Sequence, residues 1–93
     1  MPTIHLYIKG EVQGVFFRAT AKKIADALNI TGWIKNTNNG EVEAMVTGSQ
    51  EQLGEFVKWC KHGPEKAVVE DVDIIDEDET VFDDFVVIRG RSS

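Results

Sequence analysis

Apolar and polar residues alternate from Thr3 to Lys9, with Ile4, Leu6 and Ile8 on one side and His5, Tyr7 and Lys9 on the other. That period predicts a strand with one buried face. The period then lengthens. Phe17, Ala21, Ile24, Ala25 and Leu28 recur at helical spacing and predict a helix to about Leu28, with Asn29 as its left-handed end and Ile30 returning to the core. Gly32 to Asn36 and Glu41 to Thr47 read as two strands, the second with Val42, Ala44 and Val46 on one face. Between them Thr37-Asn38-Asn39-Gly40 predicts a hairpin turn. Ser49 followed by Gln52 is a capping box and starts a second helix, with Leu53, Phe56, Val57 and Cys60 as its buried stripe and Gly63-Pro64 as its stop. Ala67 to Ile75 reads as a fourth strand, Asp76 to Asp84 as a polar connection, and Phe85 to Arg89 as a short fifth strand at an edge. The order β-α-β-β-α-β with an extra C-terminal strand predicts an α+β ferredoxin-like sandwich. Both helices lie on one face of a mainly antiparallel sheet.

The 93 residues fit one domain, 1–93, with a modest core. No apolar run reaches the roughly 20 residues that span a bilayer, and the first residues lack the basic and apolar regions of a secretory leader. The chain is therefore expected to be free of the membrane. The single cysteine, Cys60, rules out an internal disulfide and fits a reducing, cytoplasmic setting. Charge is uneven. Residues 1–48 carry five Lys/Arg against four Asp/Glu, whereas residues 49–93 carry five against twelve. The nine acids of residues 70–84 stand without a base, which argues against a nucleic-acid surface and reads as a solvated face.

Between the first strand and the first helix lies Gly10-Glu11-Val12-Gln13-Gly14-Val15-Phe16-Phe17-Arg18. Glycines in a strand–loop–helix junction allow several backbone N–H groups to point at one anion. No Ser, Thr, Asp or Asn is placed to cap the helix, and no acid follows Glu11 until Asp26. Arg18 adds a planar cationic fork suited to phosphate oxygens. The loop thus reads as a phosphate cradle, although glycines at such a junction also serve as plain turn residues. Other chemistry is removed by elimination. Cys60 lies on an apolar stripe, His5 reads as a solvent-facing strand residue, His62 as a helix-end residue, and Ser49 as a cap. No His/Cys/carboxylate set has metal-ligand spacing, so no metal is expected. Asn36 remains, either as a turn residue or as a polar group at the site.

The cradle stretch resembles the first signature of the acylphosphatases. Gly32-Trp33-Ile34-Lys35-Asn36, with Gly40-Glu41-Val42 and Gly48, resembles the second, and His62-Gly63-Pro64 with Ala67 and Val68 resembles a later segment. Ile34 departs from the smaller residue more usual after the aromatic, which bears on local packing. The resemblance covers nearly the whole chain. It implies hydrolysis of the carboxyl-phosphate bond of acyl phosphates by a monomer without cofactor. Arg18 takes the position of the phosphate-binding arginine, Asn36 that of the water-orienting asparagine, and the loop that of the backbone cradle. The expected site is thus catalytic Arg18 and Asn36, with Val12, Gln13, Gly14, Val15, Phe16, Phe17 and Arg18 around the phosphate. Inorganic phosphate or sulfate is the expected competing anion. A binding module for phosphorylated metabolites is the alternative from the same cradle, and a structural domain acting through the acidic face is a third.

Overall fold

A computed structural model describes residues 1–89; the last four residues of the expected 1–93 domain lie outside them. Seven elements follow in order: β1 (Thr3–Glu11), α1 (Phe17–Ala27), β2 (Thr31–Asn36), β3 (Val42–Thr47), α2 (Gln50–His62), β4 (Val68–Glu77) and β5 (Phe85–Val87). The sheet order is β4-β1-β3-β2-β5. Every neighbouring pair is antiparallel except β2 with β5. This is the ferredoxin-like α+β sandwich that the element order predicts, with β5 added at one edge.

Alternation decides what each strand buries. Ile4, Leu6 and Ile8 of β1, Ile34 of β2, and Val42, Ala44 and Val46 of β3 face the helices and are buried. Phe17, Ala21 and Ala25 of α1 and Leu53, Phe56 and Cys60 of α2 close the core from the other side. Aromatic rings join the two helices, Phe17 against Trp59 at 5.1 Å, and tie α2 to β5, Phe56 against Phe85 at 6.0 Å. The Ser49 box forms as expected. Its hydroxyl accepts from Gln52 N–H while the Gln52 side chain accepts from Ser49 N–H, a pair that contributes about 1 kcal/mol.

Three boundaries differ from the sequence reading by two residues, and the others by at most one. First, β1 runs past Lys9 to Glu11 by way of an irregularity between Lys9 and Gly10. Gly10 stands at φ 126°, and a Cβ there would lie 2.1 Å from the Val68 carbonyl oxygen, so only glycine fits this approach to β4. Second, β4 extends to Glu77 rather than Ile75 because β1 offers partners down to Thr3. As an edge strand it leaves its acids in water, and the acidic run is the solvated face expected of it. Third, β5 stops at Val87, short of Arg89.

One side-chain expectation needs correction. His5 does lie on the sheet face away from the helices, but it is not open to solvent. Its side chain is 13% exposed, with Nε2 2.6 Å from a Glu43 carboxylate oxygen and Nδ1 3.2 Å from Glu77. Tyr7 stacks on it at 4.8 Å. Alternation gives the face of a strand residue; it does not say what the neighbouring strands place beside it.

Candidate active site

The cradle forms because β1 must turn into α1 within a few residues. Gly14 takes φ 74° and Phe16 takes φ 64°, both in the left-handed region, and the helix begins at Phe17 with no side-chain cap. Its first backbone bond runs from Thr20 N–H to the Phe16 carbonyl, at 3.0 Å. The N–H groups of Phe17, Arg18 and Ala19 therefore precede the helical ladder. These are the orphan donors of a helix start, carrying the positive end of the helix dipole. The expected absence of a cap is what the structure has.

A cleft of about 290 Å³ opens over this start. Val12, Gly14, Phe16, Phe17 and Arg18 line it, as does Asn36. The other two expected cradle positions do not. Val15 packs against the core. Gln13 turns its side chain away, and its Nε2 donates to the carbonyl oxygens of Thr37 at 2.9 Å and Glu41 at 2.8 Å. That amide ties the cradle loop to the β2–β3 hairpin, a role that a glutamine in a loop does not announce.

Sequence spacing left open whether Asn36 could reach the cradle. Register answers it. Ile8 of β1 pairs with Val42 of β3, and Val42 pairs with Asn36 of β2, so the three stand in one row across the sheet. Asn36 shares a face with buried Ile34, two residues earlier, and so projects to the side on which α1 begins. Its Oδ1 is buried and accepts no hydrogen bond from any described group. Buried polar atoms are nearly always paired, so an acceptor without a protein partner, on a residue that lines a cleft, invites a water or a ligand.

Arg18 is held from behind. One guanidinium N–H donates to the Ile88 carbonyl just past β5, at 3.1 Å. Among the described residues no carboxylate lies within ion-pair distance of it. A fork anchored by one donor and not neutralised keeps its remaining donors for an anion. The lining is completed by Ala19, Val87 and Arg89. Among the described residues it contains no Asp, Glu, His, Cys, Tyr or Lys, so none of these side chains can exchange a proton there near neutral pH.

The other eliminated groups are placed apart from the cleft. Cys60 is fully buried, and burial pushes its thiol well above the ordinary range, away from nucleophilic use. Among the described residues no group of three or more His, Cys, Asp or Glu could hold a metal ion. No helix among them is long and apolar enough to cross a membrane.

Known proteins resemble this chain over most of its length. The family model described as Acylphosphatase matches residues 4–87. The chain is 43% identical over 89 residues to an acylphosphatase of Syntrophus aciditrophicus, covering 95% of this chain and 93% of that protein. It is 46% identical over 74 residues to one from Thiobacillus denitrificans, covering 80% and 83%. Among solved structures, an acylphosphatase from Coxiella burnetii superposes with a TM-score of 0.90 at 36% identity, over 94% of this chain and 92% of that one. One from Bacillus subtilis superposes with 0.92 at 29% identity, over 96% and 100%.

Proposed function

Since the chain belongs to the acylphosphatase family, and so is an enzyme acting on acyl phosphates, we propose that it cleaves the carboxyl-phosphate bond with Arg18, the cradle amides and Asn36. The phosphoryl group sits against the helix start, where the free N–H groups and the anchored Arg18 meet its oxygens. These donors are fixed before substrate arrives, so stabilising the charge of the transition state costs little reorganisation. Asn36 Oδ1 accepts a hydrogen bond from water and holds it for in-line attack on phosphorus. As the water oxygen bonds to phosphorus, the bond to the acyl oxygen breaks and the carboxylate leaves with its electron pair. A carboxylate is a weak base, so the departure needs no general acid. The water proton goes to a phosphoryl oxygen, because no side chain in the cleft can take it. Positioning and charge stabilisation suffice for such a transfer.

One observation carries this reading: Asn36, whose amide oxygen has no partner among the described protein groups, lines the same cleft as the uncapped helix start and Arg18. An anion-binding module has no use for that acceptor. The protein acts as a monomer in the cytoplasm, without cofactor, and inorganic phosphate or sulfate competes for the cradle.

The test is hydrolysis of benzoyl phosphate by the purified protein, with inorganic phosphate as inhibitor. Arg18→Ala weakens phosphate inhibition and turnover together, and Arg18→Lys restores little of either, because an ammonium lacks the planar fork. In an amide titration with phosphate, the resonances of residues 12–18 move most. Phosphate binding without turnover would reduce the protein to an anion binder. Shifts centred on residues 59–62 would put the site elsewhere.

A further inference from the structure

The proposed reaction uses one arginine, but among the described residues two line the cleft, Arg18 and Arg89. Arg89 follows Ile88, whose carbonyl anchors Arg18, so the chain leaving β5 puts a second arginine in the lining of the same cleft. Arg89 is exposed and has no ion pair among the described residues. No acid lines the cleft, in a chain of net charge −6. A single phosphoryl group is already served by Arg18 and the helix start.

The mouth has an apolar side as well. Phe16 is 77% exposed and its backbone is held at φ 64°. A bulky residue is strained in that region, so the ring is displayed by the geometry of the loop and not drawn into the core. An aromatic ring and a guanidinium beside the phosphate site suit a ligand with an apolar body and an anionic end.

We propose that Arg89 is a specificity-determining residue, selecting acyl phosphates whose acyl portion carries a second anionic group, a carboxylate. The inference rests on the hydrolase reading given above. Phe16 meets the hydrocarbon body of the acyl portion, and Arg89 meets the distal carboxylate. An exposed pair of this kind is weak and screened by salt, so the preference is a few-fold one.

The experiment compares para-carboxybenzoyl phosphate with para-carbamoylbenzoyl phosphate, its uncharged counterpart. A para carboxylate cannot reach its own carbonyl, so neither compound cyclises. The readout is the ratio of their kcat/KM values at low ionic strength, for the wild-type chain, Arg89→Gln and Arg89→Lys. The ratio should fall by roughly two- to fivefold in Arg89→Gln, hold in Arg89→Lys, and decline in the wild type as salt is added. A ratio that Arg89→Gln does not change would overturn the proposal. The matching benzoylphosphonates, which cannot be hydrolysed, separate the two readings. Arg89-dependent preference in their binding, with no turnover of either phosphate, would sink the hydrolase reading and keep the selection. Turnover of both phosphates with no such preference would do the reverse.

Discussion

Removing the side chain of Asn36 should slow the enzyme and leave the fold intact or firmer. Asn36 Oδ1 accepts no hydrogen bond from any described protein group, so its loss breaks no hydrogen bond within the fold. Asn36→Ala deletes that acceptor. The compensating loss of packing is small, since the side chain borders an open cleft. Stability should therefore stay level or rise by up to about 1 kcal/mol, which for a domain of this size is up to roughly 4–8 °C in Tm. Turnover should move the other way. An interaction made with the attacking water acts in the transition state, so kcat should drop by about 10²-fold or more, with the inhibition constant for phosphate nearly unchanged. Thermal unfolding followed by circular dichroism gives the first quantity, and benzoyl phosphate kinetics give the second. A turn-bracing asparagine predicts the opposite pair, lost stability with kcat largely kept. A folded Asn36→Ala protein with wild-type kcat would refute the water-holding role. A loss of more than about 1 kcal/mol would refute the claim that its acceptor makes no hydrogen bond within the fold.

Gln13→Glu should destabilise more than Gln13→Ala, because a carboxylate cannot donate to the Thr37 and Glu41 carbonyls that it would face; urea unfolding of the two variants compares them directly. Both should lower kcat in folded protein by loosening the hairpin that holds Asn36, and an unchanged kcat would mean that the tie does not position the site. Gly10→Ala should cost about 2 kcal/mol or more, since its Cβ would meet the Val68 carbonyl at 2.1 Å and its φ of 126° is closed to alanine; a melting temperature equal to wild type would contradict that close approach. Cys60 should resist alkylation at neutral pH until the protein is unfolded, because the thiol is buried and its ionisation is pushed up. Rapid labelling of native protein would show that α2 opens locally.

What was legible in the sequence is what short-range pattern controls. The alternation of Ile4, Leu6 and Ile8, the stripe from Phe17 to Leu28, the Ser49–Gln52 box and the turn from Thr37 to Gly40 each fix a local conformation, and each formed. The parity of Gly32, Ile34 and Asn36 even carried the face of Asn36, because Ile34 had to be buried. Whether that face meets the cradle was not legible. It depends on β3 pairing with both β1 and β2 in one register, a relation between distant segments. The Gln13 amide was missed for the same reason, since its acceptors lie 24 and 28 residues away. Arg89 read as the end of a strand, and only the parallel pairing of β5 with β2 brings the chain beyond it to the cleft.

Net charge would have argued against an anion site, and the topology explains why it is a poor guide here. Five of the nine acids of residues 70–84 lie on β4, at one edge of the sheet, and the other four in the connection to β5, while Ile88 and Arg89 follow β5 at the other edge. Four strand spacings of about 4.8 Å separate those edges by roughly 19 Å, twice the screening length at physiological salt. Along the strands the antiparallel register works in the same direction. Val68 lies beside Glu11 at the cradle end of β1, and Glu77 lies beside Thr3 at the far end. The acids from Asp76 onward are therefore at the end of the sheet away from the helix start. Lys9 meets Asp73 at 2.9 Å, partly neutralising the stretch between. The field at the cleft is set by what lines it, two arginines and an uncapped helix start, while the acids of β4 keep the open edge strand soluble and unpaired.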